Sequence, residues 1–346
     1  MKIIYLSQSR LDFSINAVYI KGLRQNGVEV DPFFIPSLKI KEIAKIWRYY
    51  RQHRKNVDFV IVGWDSPVLA IILRTFCRKK IVYNSILSVY ERMVISRNLV
   101  SPWSLKGRYY WLIDFLAFHF SDFIMLESNN QINFISDLYY ISSNRLIRSW
   151  IGVNEDNFYY ESNIPKTQTF AVVFRGAFMP EAGVEFAIKA AKILENKNIK
   201  FIIIGGGLLS EKINELVNKL KPTNLELITD LISYERLRLI MQESHLLLGQ
   251  LSDHDRLTRT IPMKAYESLA MKLPYLTASN SGILELLTPN KTCLICSPAD
   301  EKSLAEEILW VKNNYQIAEK IAENGYELYQ NELKSVTLVR NLLSRI

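Results

Sequence analysis

Apolar positions in the first half of the chain come in short runs separated by amphipathic stretches. KIIYLS (2–7), VEVDPFFI (28–35), VDFVIVG (57–63), KIVYNS (80–85) and DFIMLES (122–128) read as strands. Between them, residues 16–27, 39–56, 66–79 and 105–121 carry helical spacing, and Gly27 suits a helix stop. The polar stretch 153–168 holds a proline and no periodicity, and reads as a linker. A second series follows, with strands at 170–176, 201–207, 225–228, 245–251, 275–279 and 293–296. Helices are expected at 184–196, 210–220, 233–243 and 263–271, from Ile283, and at the C-terminus. Strands alternating with helices predict an α/β fold of two Rossmann-like, doubly wound parallel-sheet domains facing a central cleft. The expected domains are 1–160 and 165–328, with the helix in 329–346 packing back on the first domain.

Composition narrows the class. With 346 residues, 49% of them hydrophobic, the chain can bury two cores. Its longest apolar runs, such as VLAII (68–72), fall far short of the ~18–20 residues that cross a bilayer. The opening apolar stretch is too short for a signal peptide and reads as a first strand. Three cysteines, Cys77, Cys293 and Cys296, suit reduced thiols and a cytoplasmic setting. Cys293 and Cys296 form a C-x-x-C, but TCLIC reads as a buried strand that puts them on opposite faces. A formal net charge of +8 fits a phosphorylated substrate, an anionic membrane surface or nucleic acid. No nucleic-acid module accompanies that charge.

The chemistry concentrates in DHDRLTRTIPMKAYESLAMKLPYLTASNSGILELL (253–287). A helix is expected to start near Pro262, with Thr260 as its cap. Arg259 and Lys264 bracket that start, where the helix dipole disfavours cations. Either an anion sits between the helix amides and both side chains, or both point to solvent. Glu267, on the same helix face as Lys264, either accepts hydrogen bonds from ribose hydroxyls or pairs with Lys264. Ser281 and Gly282 lie in the turn before the next expected helix and offer a second phosphate cradle. Glu285, in that helix's first turn, is either functional or a dipole partner.

These segments resemble the nucleotide-binding half of GT-B glycosyltransferases, closest to family 4 of the retaining enzymes. The resemblance is carried by VVFRGAFMPEAGVEFAIKAAKIL, FIIIGGGLLSEKINELVNKL and TIPMKAYESLAMKLPYLTASNSGILELL, and earlier by FSDFIMLESN and RSWIGVNEDNFY. It implies a glycosyltransferase that moves a sugar from a nucleotide-sugar donor to a glycan or lipid-linked acceptor, with retention, in polysaccharide or glycoconjugate synthesis. It implies neither a cofactor nor a bound metal. Two departures stand out. The first acidic residue of the family's usual pair is replaced by Arg259, leaving Glu267 as the second. The Gly-Arg and Lys-Gly pairs of the first loop are Gly176-Ala177 and Ala182-Gly183 here. Arg256, Arg259 and Lys264, with Arg175 as a further source, would then supply the charge on the diphosphate, with Arg259 and Lys264 as the catalytic cations. Gly176 and Gly205 complete the expected donor site.

The same likeness assigns the acceptor to the first domain. It points to the loop Ser7–Asn16, which includes Arg10, to Trp64-Asp65 after the third strand, and to Asn84 and Ser85 after the fourth. His119 reads as packing. Asp253-His254-Asp255 resembles a D-x-D metal motif but lies late in the second domain, where His254 could instead touch the donor. Two other readings remain: a sugar-nucleotide epimerase of the same fold, and a non-catalytic glycosyltransferase-like subunit. The basic, aromatic stretches 41–55 and 104–120 read either as an anionic membrane surface partner, peripheral at the inner face, or as core aromatics with solvated lysines.

Overall fold

The computed structural model describes residues 1–346. The chain divides into two units: unit 1 is Met1–Asn154 with Leu333–Ile346, and unit 2 is Glu155–Glu332.

Unit 1 alternates strand and helix. In order it contains β1 (Lys2–Ser7), α1 (Ser14–Gln25), β2 (Glu29–Phe34), α2 (Ile40–His53), β3 (Phe59–Val62), α3 (Pro67–Arg74) and β4 (Lys80–Ile86). Then come α4 (Leu105–Phe120), β5 (Phe123–Leu126), α5 (Asn129–Tyr139) and β6 (Leu146–Arg148). The six strands form one parallel sheet in the order β2-β1-β3-β4-β5-β6. Its inner strands are buried on both faces, which is why FVIV in β3 reads as a continuous apolar run.

Unit 2 begins with β7 (Phe170–Arg175), α6 (Val184–Ile193), β8 (Ile199–Ile204), α7 (Ser210–Leu220), β9 (Leu225–Ile228), α8 (Tyr234–Glu243) and β10 (Leu246–Leu248). It continues through α9 (Met263–Ala270), β11 (Tyr275–Ala278), β12 (Leu294–Cys296), α10 (Glu301–Asn313) and α11 (Tyr315–Leu328). Its parallel sheet runs β12-β11-β10-β7-β8-β9. The last helix, α12 (Ser335–Leu343), belongs to unit 1 and packs on α1. That contact requires Gly22, where a Cβ would lie 2.1 Å from the Ser335 carbonyl oxygen.

Three expectations change. The helix expected from Ile283 is a single 3-10 turn, Ile283–Glu285, and residues 286–293 lead from it to β12 without further helix. Asn84 and Ser85 lie inside β4 rather than in the loop after it. The stretch 155–168 is bound to unit 2 rather than free. There Glu161 pairs with Arg238, and Lys166 Nζ donates to the carbonyls of Gln242 (2.8 Å) and Ser244 (2.7 Å). Cys77, Cys293 and Cys296 are buried thiols, and burial pushes Cys293 and Cys296 up to about 12. No helix is long and apolar enough to cross a membrane.

Candidate functional site

The order of strands in unit 2 reverses between β7 and β10. In open α/β sheets, ligands bind where such a reversal leaves a crevice outside the carboxyl ends of the strands. Three glycines shape this end. Gly176, Gly205 and Gly207 have φ of +142°, +149° and +152°, a region that side chains rarely occupy. A Cβ on Gly205 would come 1.9 Å from the Gly176 carbonyl oxygen, so the loops after β7 and β8 close only on glycine. Gly176 N donates to Ile204 O and Phe178 N to Gly206 O, each at 3.0 Å, which joins the two loops.

Lys264 reaches this crevice from α9. It is buried, and its ammonium lies 3.7 Å from the Phe174 ring of β7. Nζ donates to Gly249 O, just past β10, at 3.4 Å. A Cβ built on Gly176 would be 3.5 Å from the same nitrogen, so Lys264 faces the bare backbone of the first loop. No carboxylate pairs with it. Burial, reinforced by nearby Arg175, holds its pKa well below the usual lysine range.

Glu267, one turn along α9, is fully buried. It does not pair with Lys264. The Arg175 guanidinium holds it, with Nε donating to Oε2 at 2.6 Å and Nη2 in an ion pair with Oε1. Arg175 also packs over the Phe158 ring at 5.5 Å. A carboxylate fixed in this way keeps acceptor capacity for a further donor group.

The other predicted cations are held by the protein. Arg256 Nη1 pairs with buried Glu181 at 2.9 Å, so its charge is already matched inside unit 2. Glu181 stands 75 residues away in sequence from the guanidinium it pairs with. Arg259 Nη2 pairs with Asp255 at 2.8 Å, and that carboxylate's side chain is 72% exposed. His254 Nδ1 accepts from Arg256 N at 3.2 Å and caps the turn Asp255–Thr258. The start of α9 also differs from expectation. Pro262 stands at the cap, one residue before the helix, and the Thr260 hydroxyl faces Arg256 Nε at 3.4 Å rather than the helix amides.

Ser281 and Gly282 buttress this turn. Gly282 N donates to Leu257 O at 3.2 Å, and Ser281 Oγ donates to Thr258 O at 3.1 Å. A Cβ on Gly282 would meet Leu257 O at 2.4 Å. The structure thus gathers Lys264, Glu267, Gly176 and Gly205, with Arg175, at the reversal point. Arg256, Arg259, Ser281 and Gly282 form the adjoining turn, and Glu285 ends the short 3-10 turn after it. A cavity of about 370 Å³ lies beside Pro274 at the amino end of β11, and one of about 490 Å³ runs from Thr169 along β8 and β9 to Ile228; neither is lined by Lys264, Glu267 or Arg175.

Unit 1 has its own reversal point, between β1 and β3. Buried Asn16 ties it together. It accepts from Tyr5 Oη (3.0 Å) and Trp64 N (3.2 Å), and donates to Ser7 Oγ (3.1 Å) and Arg10 O (3.0 Å). Trp64 stacks on Phe13 at 5.1 Å. Asp65, at φ +58°, pairs with Arg92 through two bonds of 3.1 and 2.8 Å. Arg10 is exposed and pairs with Asp12. Asn84 is buried at the carboxyl end of the sheet with its Nδ2 lacking a hydrogen-bond partner, and Ser85 Oγ donates to Leu87 O. Ile86 follows at φ +62°, an unusual conformation for a β-branched residue, where the chain leaves β4. His119 Nδ1 bonds the Phe115 carbonyl within α4 at 2.8 Å.

Sequence reasoning missed Glu181, Gly249, Phe174 and Arg92. Each acts on a partner more than 10 residues away, and no local pattern marks it.

Similarity to known proteins agrees with this geometry. An uncharacterized glycosyltransferase of Methanocaldococcus jannaschii is 28% identical over 225 residues, spanning 65% of this chain and 58% of the relative. A capsular polysaccharide biosynthesis glycosyltransferase of Staphylococcus aureus, CapM, is 22% identical over 183 residues, 51% of this chain and 45% of the relative. The chain thus matches less than two thirds of the length of these relatives. Among solved structures, Anabaena HepE in complex with UDP superposes with a TM-score of 0.73 at 14% identity, covering 100% of both chains. That likeness shows the shared GT-B fold of two Rossmann-like units. The profile of the glycosyl transferases group 1 matches residues 156–328, half of the chain and the part that carries the reversal-point cluster, and the chain therefore belongs to the group 1 glycosyl transferases.

Proposed function

We propose that this protein transfers a sugar from a nucleoside-diphosphate sugar to a glycan or glycolipid acceptor, with retention, in polysaccharide or glycoconjugate synthesis. One observation carries the reading: buried Lys264, without a carboxylate partner, at the strand reversal of unit 2. A buried cation of this kind is costly unless an anion completes it. A diphosphate supplies that anion, and the first amides of α9 add donors beside it.

In this reading Glu267, fixed by Arg175, accepts the ribose hydroxyls. The bond between the sugar's anomeric carbon and the β-phosphate oxygen breaks, and a bond to an acceptor hydroxyl oxygen forms. The departing phosphate takes the acceptor proton. Lys264 stabilises the charge that grows on this phosphate, and Arg259 joins it by leaving the exposed Asp255. No metal is required in this scheme. Unit 1 engages the acceptor through the loop after β1, with Arg10, and through Asp65. Asn84 and Ser85 support that end from within β4.

UDP is the first donor moiety to test, because HepE was solved with it. Thermal melts with UDP, GDP and dTDP and their sugar conjugates are expected to show one nucleotide that raises the midpoint. Donor turnover should collapse when Arg259 and Lys264 are both replaced by alanine. If no nucleotide shifts the melt, or if the double variant turns over normally, the assignment fails.

A further inference from the structure

The cavity beside Pro274 lies wholly within unit 2. Its volume of about 370 Å³ falls within the ~300–1,000 Å³ usual for small-molecule sites. Residues 160–166 form one wall, the turn that ends α9 forms the floor, and α11 forms the opposite wall.

The charges on this lining cancel. Lys166, Lys272 and Lys320 stand against Glu161, Glu319 and Glu323. Most are answered within the protein. Glu161 pairs with Arg238, and Glu323 takes both Lys272 at 3.1 Å and Lys320 at 2.8 Å. Three groups keep capacity for a ligand. Lys166 Nζ uses two of its three hydrogens on carbonyls. The Tyr315 hydroxyl is buried without a hydrogen-bond partner. Exposed Glu319 bears electrostatically on both Lys166 and Tyr315, yet no hydrogen bond or ion pair joins it to either. Lys272 adds a further sign. It stands at φ +55°, directly after α9, in the left-handed position that glycine usually takes. Backbone strain of this kind gathers at functional sites.

The lining selects a ligand class. With no net charge, it gives a small anion no overall attraction. An amino acid would match one cation and one carboxylate. The polar groups of α11, however, run from Tyr315 to Glu323, about 12 Å along the helix. Sugar hydroxyls both donate and accept, and so answer ammonium and phenol donors set among carboxylates. Leu273 and Pro274, with the Tyr160 ring, offer an apolar ledge to the C–H face of a pyranose. We infer that this cavity is a saccharide-binding site, separate from the donor cluster, that takes a neutral sugar. This assignment is independent of the donor-site reading.

Saturation-transfer NMR on the whole chain, with and without UDP, tests it. The probes are glucose, galactose, N-acetylglucosamine, maltose, cellobiose and diacetylchitobiose. At least one is expected to bind, and its signal should persist when UDP is added. Tyr315→Phe removes only an unpartnered hydroxyl, and Glu319→Gln removes only an exposed charge. Each should weaken sugar binding about tenfold and leave the melting curve unchanged. Tighter binding of a disaccharide would identify the end of a glycan chain as the occupant, and equal binding a free sugar; both sustain the site. UDP-dependent melts of the same samples report on the donor reading separately. Four results would each overturn the inference: none of the sugars binds; both variants bind like the wild type; UDP displaces the sugar; or glycine or inorganic phosphate displaces it in a Tyr315-dependent way.

Discussion

Replacing Lys264 by methionine should make the protein more stable and its donor site empty. The ammonium is buried, and taking such a charge out of water costs several kcal/mol. Two contacts offset this. The bond to Gly249 O is 3.4 Å, longer than the usual 2.7–3.2 Å and correspondingly weak. The cation–π contact with Phe174 at 3.7 Å contributes about 2 kcal/mol when desolvated. The shortfall is about 1–3 kcal/mol, and methionine, of similar length and without charge, removes it. For a unit of this size that corresponds to a rise in Tm of about 2–4 °C per kcal/mol. Loss of a donor aimed at a diphosphate should weaken nucleotide binding by about 100–1,000-fold. Melts with and without UDP, and titration calorimetry with UDP, read both quantities. If Lys264→Met lowers the apo midpoint while keeping nucleotide affinity, the side chain is structural and the site lies elsewhere.

Because burial lowers the Lys264 pKa and a bound diphosphate would raise it again, proton uptake on binding should grow as pH is raised, seen as a binding heat that varies with the buffer's ionisation enthalpy. Arg175→Gln leaves Glu267 fully buried without its cation, and should destabilise unit 2 by about 3–5 kcal/mol. Adding Glu267→Gln should recover most of that loss in a double-mutant cycle measured by denaturant unfolding. Gly205→Ala should cost about 1–3 kcal/mol from backbone conformation alone. Its 1.9 Å approach to Gly176 O should also part the two loops and weaken UDP binding in the same titration. Burial raises Asp114, bonded to Tyr90 N and the Tyr139 hydroxyl, to about 7. The folded state therefore keeps a proton that the unfolded chain loses near pH 4, and stability should fall as pH rises from about 4 to 7, by up to about 1.4 kcal/mol per pH unit. Asp114→Asn should flatten that slope in urea midpoints, and an unchanged slope would show that Asp114 ionises freely.

Most of the fold could be read from the chain. Runs such as FVIV (59–62) and FIII (201–204) stand out because parallel strands are covered on both faces and admit little polar interruption. The cluster of Arg259, Lys264 and Glu267 also stood out, because cations at a helix start break a local electrostatic rule. Such signals are confined to a few turns of chain, where periodicity and dipoles act. What the tertiary structure alone decided is which charge meets which. Nothing near Arg256 in sequence marked Glu181, 75 residues earlier, as its partner. Glu267 turned to Arg175, 92 residues away, and not to Lys264 three residues away. Lys264 was left with the ring of Phe174 and one carbonyl because β7 and β10 are neighbours only after the strand order reverses. The same limit explains the misjudged helix at Ile283, where apolar residues serve a short buttress against Leu257. Sequence patterns report local backbone preference and burial, whereas the pairing of buried charges is settled by the topology that brings distant strands together.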